Sequence, residues 1–118
     1  MKLYYASRMG KVETLANNVT KDAIKITTGK EIANEPFLLL TYTDGNGIVP
    51  QVVVDFLTNN KDMIKAVVAS GSMARHADTY CFAGDIIANE YNVPCILKVD
   101  GAGTDSDINF IKNYLNIA

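Results

Sequence analysis

Leu3-Tyr4-Tyr5-Ala6-Ser7-Arg8-Met9-Gly10-Lys11-Val12 carries the chain from one backbone pattern to another. A short apolar run stops at a small hydroxyl residue, Ser7. Gly10 follows, and apolar residues then recur at helical spacing. This predicts a strand, a tight loop and a helix N-terminus. Such a loop aims backbone N–H groups at one spot, where the helix dipole favours an anion. Ser7 can add a hydroxyl, and Gly10 lets the backbone approach a phosphate closely. The stretch lacks the Gly-Lys-Ser/Thr ending of a nucleotide P-loop and the Gly-x-Gly-x-x-Gly of a dinucleotide site. An ordinary strand-to-helix turn would look the same locally.

The rest of the chain repeats that alternation. Val12, Leu15, Ala16 and Val19 predict an amphipathic helix from Lys11 to about Asp22. Ile24 and Ile26 alternate with Lys25 and Thr27, as on a half-buried edge strand. Pro36 opens Phe37-Leu38-Leu39-Leu40-Thr41-Tyr42-Thr43, apolar without alternation, as a strand covered on both faces should be. Asp44-Gly45-Asn46-Gly47 is a loop, and Pro50 suits the first turn of a helix carrying Val53, Phe56 and Leu57. Met63 to Ser70 predicts another buried strand, broken by Gly71 to Ala77. Asp78 or Thr79 is the expected cap of a third helix with Phe82, Ala83, Ile86 and Ile87. Pro94 to Val99 is the last strand, and Thr104 to Asp107 gives the last helix a capped, acidic start.

A chain of 118 residues, 48% hydrophobic and 20% charged, predicts one soluble domain spanning 1–118 with a single core. Net charge is −2, which offers no basic footprint for nucleic acid. No apolar run approaches membrane-spanning length and no signal-peptide pattern opens the chain, so a cytoplasmic protein is expected. Cys81 and Cys95 fit no metal spacing and are expected to be buried free thiols. No residue pair reads as a hydrolytic site, and a single histidine excludes a multi-histidine metal centre.

Strands and helices in strict alternation imply a parallel sheet covered on both faces. The expected fold class is α/β, a flavodoxin-like three-layer sandwich. Its five strands would run in the order 2-1-3-4-5, with about four helices. Ligands in such sheets bind beyond the carboxyl ends of the strands. Three loops, Ser7–Val12, Thr43–Val49 and Gly71–Thr79, meet at that edge and are rich in small and polar residues. The Ser-x-x-Gly loop after the first strand looks like a flavodoxin-type phosphate site.

With these loops placed, the chain resembles the NrdI family, flavodoxin-like partners of class Ib ribonucleotide reductase. The resemblance runs nearly end to end. It is carried by Thr41-Tyr42-Thr43-x-Gly45-x-Gly47-x-Val49-Pro50 and by Val67-Val68-Ala69-Ser70-Gly71 followed by Tyr80. Ala83-Gly84-Asp85-Ile86-Ile87-Ala88, Val93-Pro94, Lys98 and Gly103-Thr104-x-x-Asp107 complete it. It implies noncovalent FMN. It also implies that the reduced flavin reacts with dioxygen and delivers superoxide or peroxide to the dimanganese site of the reductase small subunit, supporting formation of the tyrosyl radical. That small subunit and an electron donor protein are the implied partners. A single anion site, with no second half to hold an adenosine, points to FMN rather than FAD.

By the same resemblance the flavin phosphate falls on Ser7, Met9, Gly10, Lys11 and Val12, through backbone N–H groups from Met9 onward. Arg8, where relatives are often Ser/Thr-rich, either adds charge or points to solvent. Tyr42 stacks on the ring, lines the ribityl path, or is simply a strand tyrosine. Thr43, Asp44, Gly45, Asn46 and Gly47 face the reactive edge, where a glycine loop can flip its backbone to serve a protonated N5, or form a plain turn. Ser70, Gly71 and Ser72 bring backbone groups to the pyrimidine edge. The Gly71–Asp78 loop lies along the isoalloxazine. Here the chain departs from the family's Gly-Asn-x-Asn-aromatic pattern, reading Gly71-Ser72-Met73-Ala74-Arg75-His76-Ala77-Asp78. Tyr80 is then the best remaining aromatic, with Met73 and His76 as substitutes, His76 being otherwise a solvent-facing neighbour of Arg75. Ala83-Gly84-Asp85 is assigned to helix packing. Two other readings stay open: a flavin-free interaction module on the same fold, and a generic flavodoxin-type electron carrier. Flavodoxins usually have longer loops and a more acidic surface than −2 suggests.

Overall fold

The computed structural model describes residues 1–117. Five strands, β1 (Lys2–Tyr5), β2 (Ile24–Lys25), β3 (Phe37–Tyr42), β4 (Ile64–Gly71) and β5 (Cys95–Asp100), form one sheet in the order β2-β1-β3-β4-β5. Every pairing is parallel. The connecting helices are α1 (Lys11–Val19), α2 (Gln51–Asn60), α3 (Phe82–Tyr91) and α4 (Asp105–Leu115). The α/β, flavodoxin-like order expected from the sequence is the one observed.

The unbroken apolar run of β3 has a direct cause. Leu38 and Leu40 pack with Leu15, Ala16 and Ile111 under α1 and α4. Phe37 and Leu39 face the other way, onto Val53, Phe56 and Ile87 of α2 and α3. Successive side chains point to opposite faces, so a strand covered twice must be apolar throughout. The second layer is pinned by Tyr4, Phe37 and Phe56, whose ring centroids lie 5.1–5.4 Å apart. Contacts of this kind are favourable beyond the area they bury.

Three local expectations are corrected. The first helix ends at Val19, short of Asp22, because Thr20 is extended (φ −158°) and its hydroxyl accepts the Asp22 N–H instead. Neither Asp78 nor Thr79 caps the third helix. Both lie in a separate 3-10 turn, Ala77–Thr79, and the residue at the N-cap of α3 is Cys81 at φ +56°. Cys81 is fully buried, and its thiol lies 3.3 Å from the Ala69 carbonyl and 3.5 Å from that of Val99. Those long-range contacts offset a backbone conformation that costs a non-glycine residue about 1–2 kcal/mol. Within α3 itself, Ala83, Gly84 and Ile87 are buried, whereas Phe82 and Ile86 are 43% and 41% exposed.

The last helix starts as expected. Thr104 Oγ1 accepts the Asp107 N–H at 3.2 Å, and Asp107 Oδ2 accepts the Thr104 N–H at 2.8 Å, a reciprocal capping box. Cys81 and Cys95 are both free; Cys81 is buried as expected, whereas Cys95 is only partly buried.

Candidate functional site

The carboxyl ends of β1, β3, β4 and β5 lie side by side, with Tyr5 opposite Leu40, Tyr42 opposite Ser70 and Gly71 opposite Asp100. The loops leaving these strands are therefore brought to one edge by sheet register alone.

The loop after β1 leads into α1 through Gly10, at φ +92°. Helix α1 has no side-chain cap. Its first N–H groups, at Lys11 and Val12, have no intrahelical acceptor by the geometry of any α-helix. Ser7 Oγ accepts the Gly10 N–H at 3.2 Å, and its own hydroxyl hydrogen is left to donate. A side chain at Gly10 would meet no protein atom within 4 Å, so the space in front of the loop is open. Met9 is 81% exposed beside it. The Lys11 side chain runs over the loop after β5, its Cδ 3.3 Å from where a Cβ on Gly101 would stand.

The loop after β3 closes on itself. Gly47 and Ile48 both donate N–H to the Asp44 carbonyl at 3.0 Å, and the Asp44 N–H reaches Ile48 O at 2.9 Å. Gly45 and Gly47 supply the positive φ values this turn demands, +43° and +97°. A Cβ on Gly47 would stand 2.9 Å from Thr79 Cβ and 3.0 Å from Phe82, so the turn is seated directly on the entry to α3. Arg8 joins this loop to the first. Its Nη1 donates to Asp44 Oδ1 at 2.8 Å, and its Cζ lies 5.5 Å from the Tyr42 ring centroid. Arg8 thus neither stands free in solvent nor is spent wholly on the first loop. Burial raises the Tyr42 hydroxyl above its ordinary pKa of 10.0, with Asp44 adding to the rise and Arg8 opposing it.

The third loop turns tightly. Ser72 O accepts the His76 N–H at 2.8 Å and Ser72 Oγ the Arg75 N–H at 3.2 Å. Between it and the second loop is a cleft of about 310 Å³, with Asn46 on one wall and residues 74–79 on the other. That volume is at the small end of ligand pockets. His76 and Asp78, both singled out from the sequence, line it, and Met73 is exposed nearby in the chain. Tyr80 does not line it. Its ring packs 3.2 Å from where a Cβ on Gly71 would stand, and burial, Cys81, Asp100 and Asp107 push its hydroxyl up to about 12. Ser70 is buried and donates to Gly101 O at 2.6 Å. Thr79, read as a helix cap, is a cleft residue instead. Its place at the end of the Gly71–Thr79 loop was the signal the sequence held.

One polar atom stands out. Thr43 Oγ1 is, among the described residues, the buried side-chain oxygen left without a hydrogen-bond partner. It sits one residue past the end of β3, at the start of the second loop. Buried hydroxyls are ordinarily paired, so an orphan at such an edge marks a place where a ligand could supply the partner. Among the described residues no group of three His, Cys, Asp or Glu is placed to hold a metal ion, and no helix is long and apolar enough to cross a membrane.

Comparison with known proteins agrees with this fold. A solved structure of flavodoxin 1 from Bacillus cereus superposes with a TM-score of 0.68, covering 95% of this chain and 91% of that one at 23% identity. A Fusobacterium nucleatum flavodoxin solved with flavin mononucleotide bound gives 0.59, covering 81% and 66% at 11% identity. At such identities the likeness speaks for the fold. Sequence relatives say more: Protein NrdI of Ruegeria sp. (strain TM1040) is 34% identical over 114 residues, 90% of this chain and 81% of its own. The model of the family described as NrdI Flavodoxin like matches residues 3–113. The chain therefore belongs to the NrdI flavodoxin-like family.

Proposed function

We propose that the chain binds FMN noncovalently across the carboxyl edge of its sheet and serves class Ib ribonucleotide reductase as a redox partner. When bound and reduced, the flavin supplies electrons to dioxygen, and the resulting superoxide or peroxide supports assembly of the dimanganese–tyrosyl radical cofactor in the reductase small subunit. The observation that carries the reading is a coincidence at one edge. An uncapped helix start with open space before it, an orphaned buried hydroxyl at Thr43, and a cleft between two loops lie together.

The residues present fit that group. Ser7, Met9, Gly10, Lys11 and Val12 would hold the phosphate, the first by its hydroxyl and the others by backbone N–H at a helix N-terminus. Thr43 would find a partner on the ribityl–ring unit, and Tyr42 would border the same path. Gly45, at φ +43° with open space beside it, lets the turn present its backbone to the ring edge. Asp44, Asn46 and Gly47 would form one wall of the ring site, with Ser70, Gly71, Ser72, Met73, His76 and Asp78 on the opposite side. The Fusobacterium nucleatum flavodoxin, of the same fold, was solved with this cofactor.

Titration of the purified protein with FMN, FAD and riboflavin, read by flavin fluorescence, tests binding. FMN is expected to be bound most tightly, and equal or tighter binding of FAD overturns the assignment. Reduced, loaded protein added to dimanganese small subunit in air should then yield a tyrosyl radical signal in electron paramagnetic resonance. Binding without radical formation would leave a flavodoxin-type electron carrier. Absence of flavin binding would leave an interaction module.

A further inference from the structure

Arg8 and Asp44 lie 36 residues apart and belong to loops that leave adjacent strands. Their contact is an ion pair of 2.8 Å at the surface, with the side chains 59% and 32% exposed. The same guanidinium covers the Tyr42 ring at 5.5 Å, a cation–π distance. The turn it touches, Asp44–Ile48, is otherwise held by its own hydrogen bonds and, at its far end, by the fit of Gly47 against Thr79 and Phe82. Asn46, in the middle of that turn, is one wall of the cleft. Contact with the first loop comes through Arg8. A planar guanidinium can pair with a carboxylate and lie flat over a ring at once, which a compact lysine ammonium does less well.

We propose that Arg8 is a positioning residue that clasps the first and second loops together. By pairing with Asp44 and covering Tyr42 it holds the Asp44–Ile48 turn, and with it the Asn46 wall, in the geometry that receives the ring. It thereby sets how long a flavin stays bound. This last step rests on the FMN reading; the clasp itself does not.

Two measurements separate the parts. In the ligand-free protein, amide hydrogen exchange is followed by NMR at Asp44, Gly47 and Ile48 in the parent, Arg8→Ala, Asp44→Ala, the double variant and Arg8→Lys. Loss of an exposed ion pair and a surface cation–π contact should raise exchange at these three amides together, on the order of fivefold to tenfold. Either single substitution should give the effect, the double should add little, and Arg8→Lys should fall between. Amides of β3 should not change. Unchanged exchange in Arg8→Ala overturns the clasp. In the second measurement, release of FMN and of riboflavin is timed after dilution. The clasp predicts that Arg8→Ala and Asp44→Ala speed release of both flavins by the same factor, because the turn and not the phosphate is affected. An effect of Arg8→Ala confined to FMN, with Asp44→Ala neutral or slowing release, overturns the proposal and makes Arg8 a phosphate ligand. If the parent binds neither flavin, the FMN reading and the release step fall together, and the exchange pattern alone decides the clasp.

Discussion

Gly10 lets the backbone of the first loop and the ligand it serves be examined separately. Its φ of +92° is a conformation that side-chain-bearing residues rarely adopt, yet a Cβ there would meet no protein atom within 4 Å. Alanine should therefore cost backbone strain and nothing in packing. Strain is about 1–2 kcal/mol, partly offset by about 0.4–1 kcal/mol from a stiffer unfolded chain, for a net loss near 1 kcal/mol. Asparagine tolerates positive φ and should recover much of that loss. Valine should lose somewhat more, because β-branching resists the conformation. Binding should sort the variants differently. A phosphate drawn up to the N–H groups of Lys11 and Val12 must occupy the open space that any side chain at position 10 begins to fill. Losing one charge-assisted hydrogen bond is worth about 1.5–3 kcal/mol, roughly tenfold to a hundredfold in Kd. FMN affinity should fall from Gly to Ala to Asn and Val, following side-chain bulk and not stability. Riboflavin, which has no phosphate, should bind all four alike. Urea denaturation supplies the first quantity and fluorescence titration the second. A Gly10→Val protein that binds FMN within about twofold of the parent would refute the phosphate assignment. A stability loss well beyond about 3 kcal/mol would show that position 10 is packed, contrary to the structure.

Two further outcomes follow from the core. A Cβ on Gly84 would stand 2.8 Å from both Ala69 Cβ and Cys95 Sγ, so Gly84→Ala should lose about 1–3 kcal/mol through overpacking between α3 and the sheet, even after the gain in helix propensity. Ala69→Gly should recover part of it, and a urea-melt double-mutant cycle showing strict additivity would argue against the close approach. Stability should also fall in alkali. Burial pushes the Cys81 thiol from 9.0 to about 11 and the Tyr80 hydroxyl from 10.0 to about 12, so the folded chain holds these protons more tightly than the unfolded one. Their contribution is complete below pH 9 and is lost as pH rises through 11 and 12. Melts of parent and Cys81→Ala at intervals from pH 8 to pH 11 test this, the variant losing less over that range; equal pH slopes would count against the thiol.

The fold was legible because its determinants are local or periodic. The unalternated run at Phe37–Tyr42 and the Thr104–Asp107 cap each announce themselves within a few residues, and the structure repeats both. Parallel order then follows from alternation of strands and helices. The site was legible as loops but not as contacts. Ser7–Val12 and Asp44–Gly47 were recognisable from their small residues, whereas the pairing of Arg8 with Asp44 depends on the paths of two side chains across exposed loops, which strand order alone does not give. Opposite charges at the ends of β1 and β3 were a usable signal once those strands were placed side by side.

The entry to α3 shows where local reasoning must fail. Asp78 and Thr79 have the side chains of a helix cap, and an isolated peptide of this sequence would favour using them so. In the folded chain another demand is stronger. Gly71 must pass close to the Cys81 backbone, with a hypothetical Cβ only 2.9 Å from Cys81 N, and the Cys81 thiol must reach carbonyls on two strands. Meeting both demands forces Cys81 to φ +56° and delays the helix to Phe82. That delay keeps Thr79 out of the helix, where it lines the far wall of the cleft with residues 74–78. The same buried contacts that made the boundary unreadable from sequence thus also set Thr79 on the cleft wall. A loop whose path is fixed by a plug beneath it can vary its exposed residues, Met73 to His76 among them, without moving the wall they stand on.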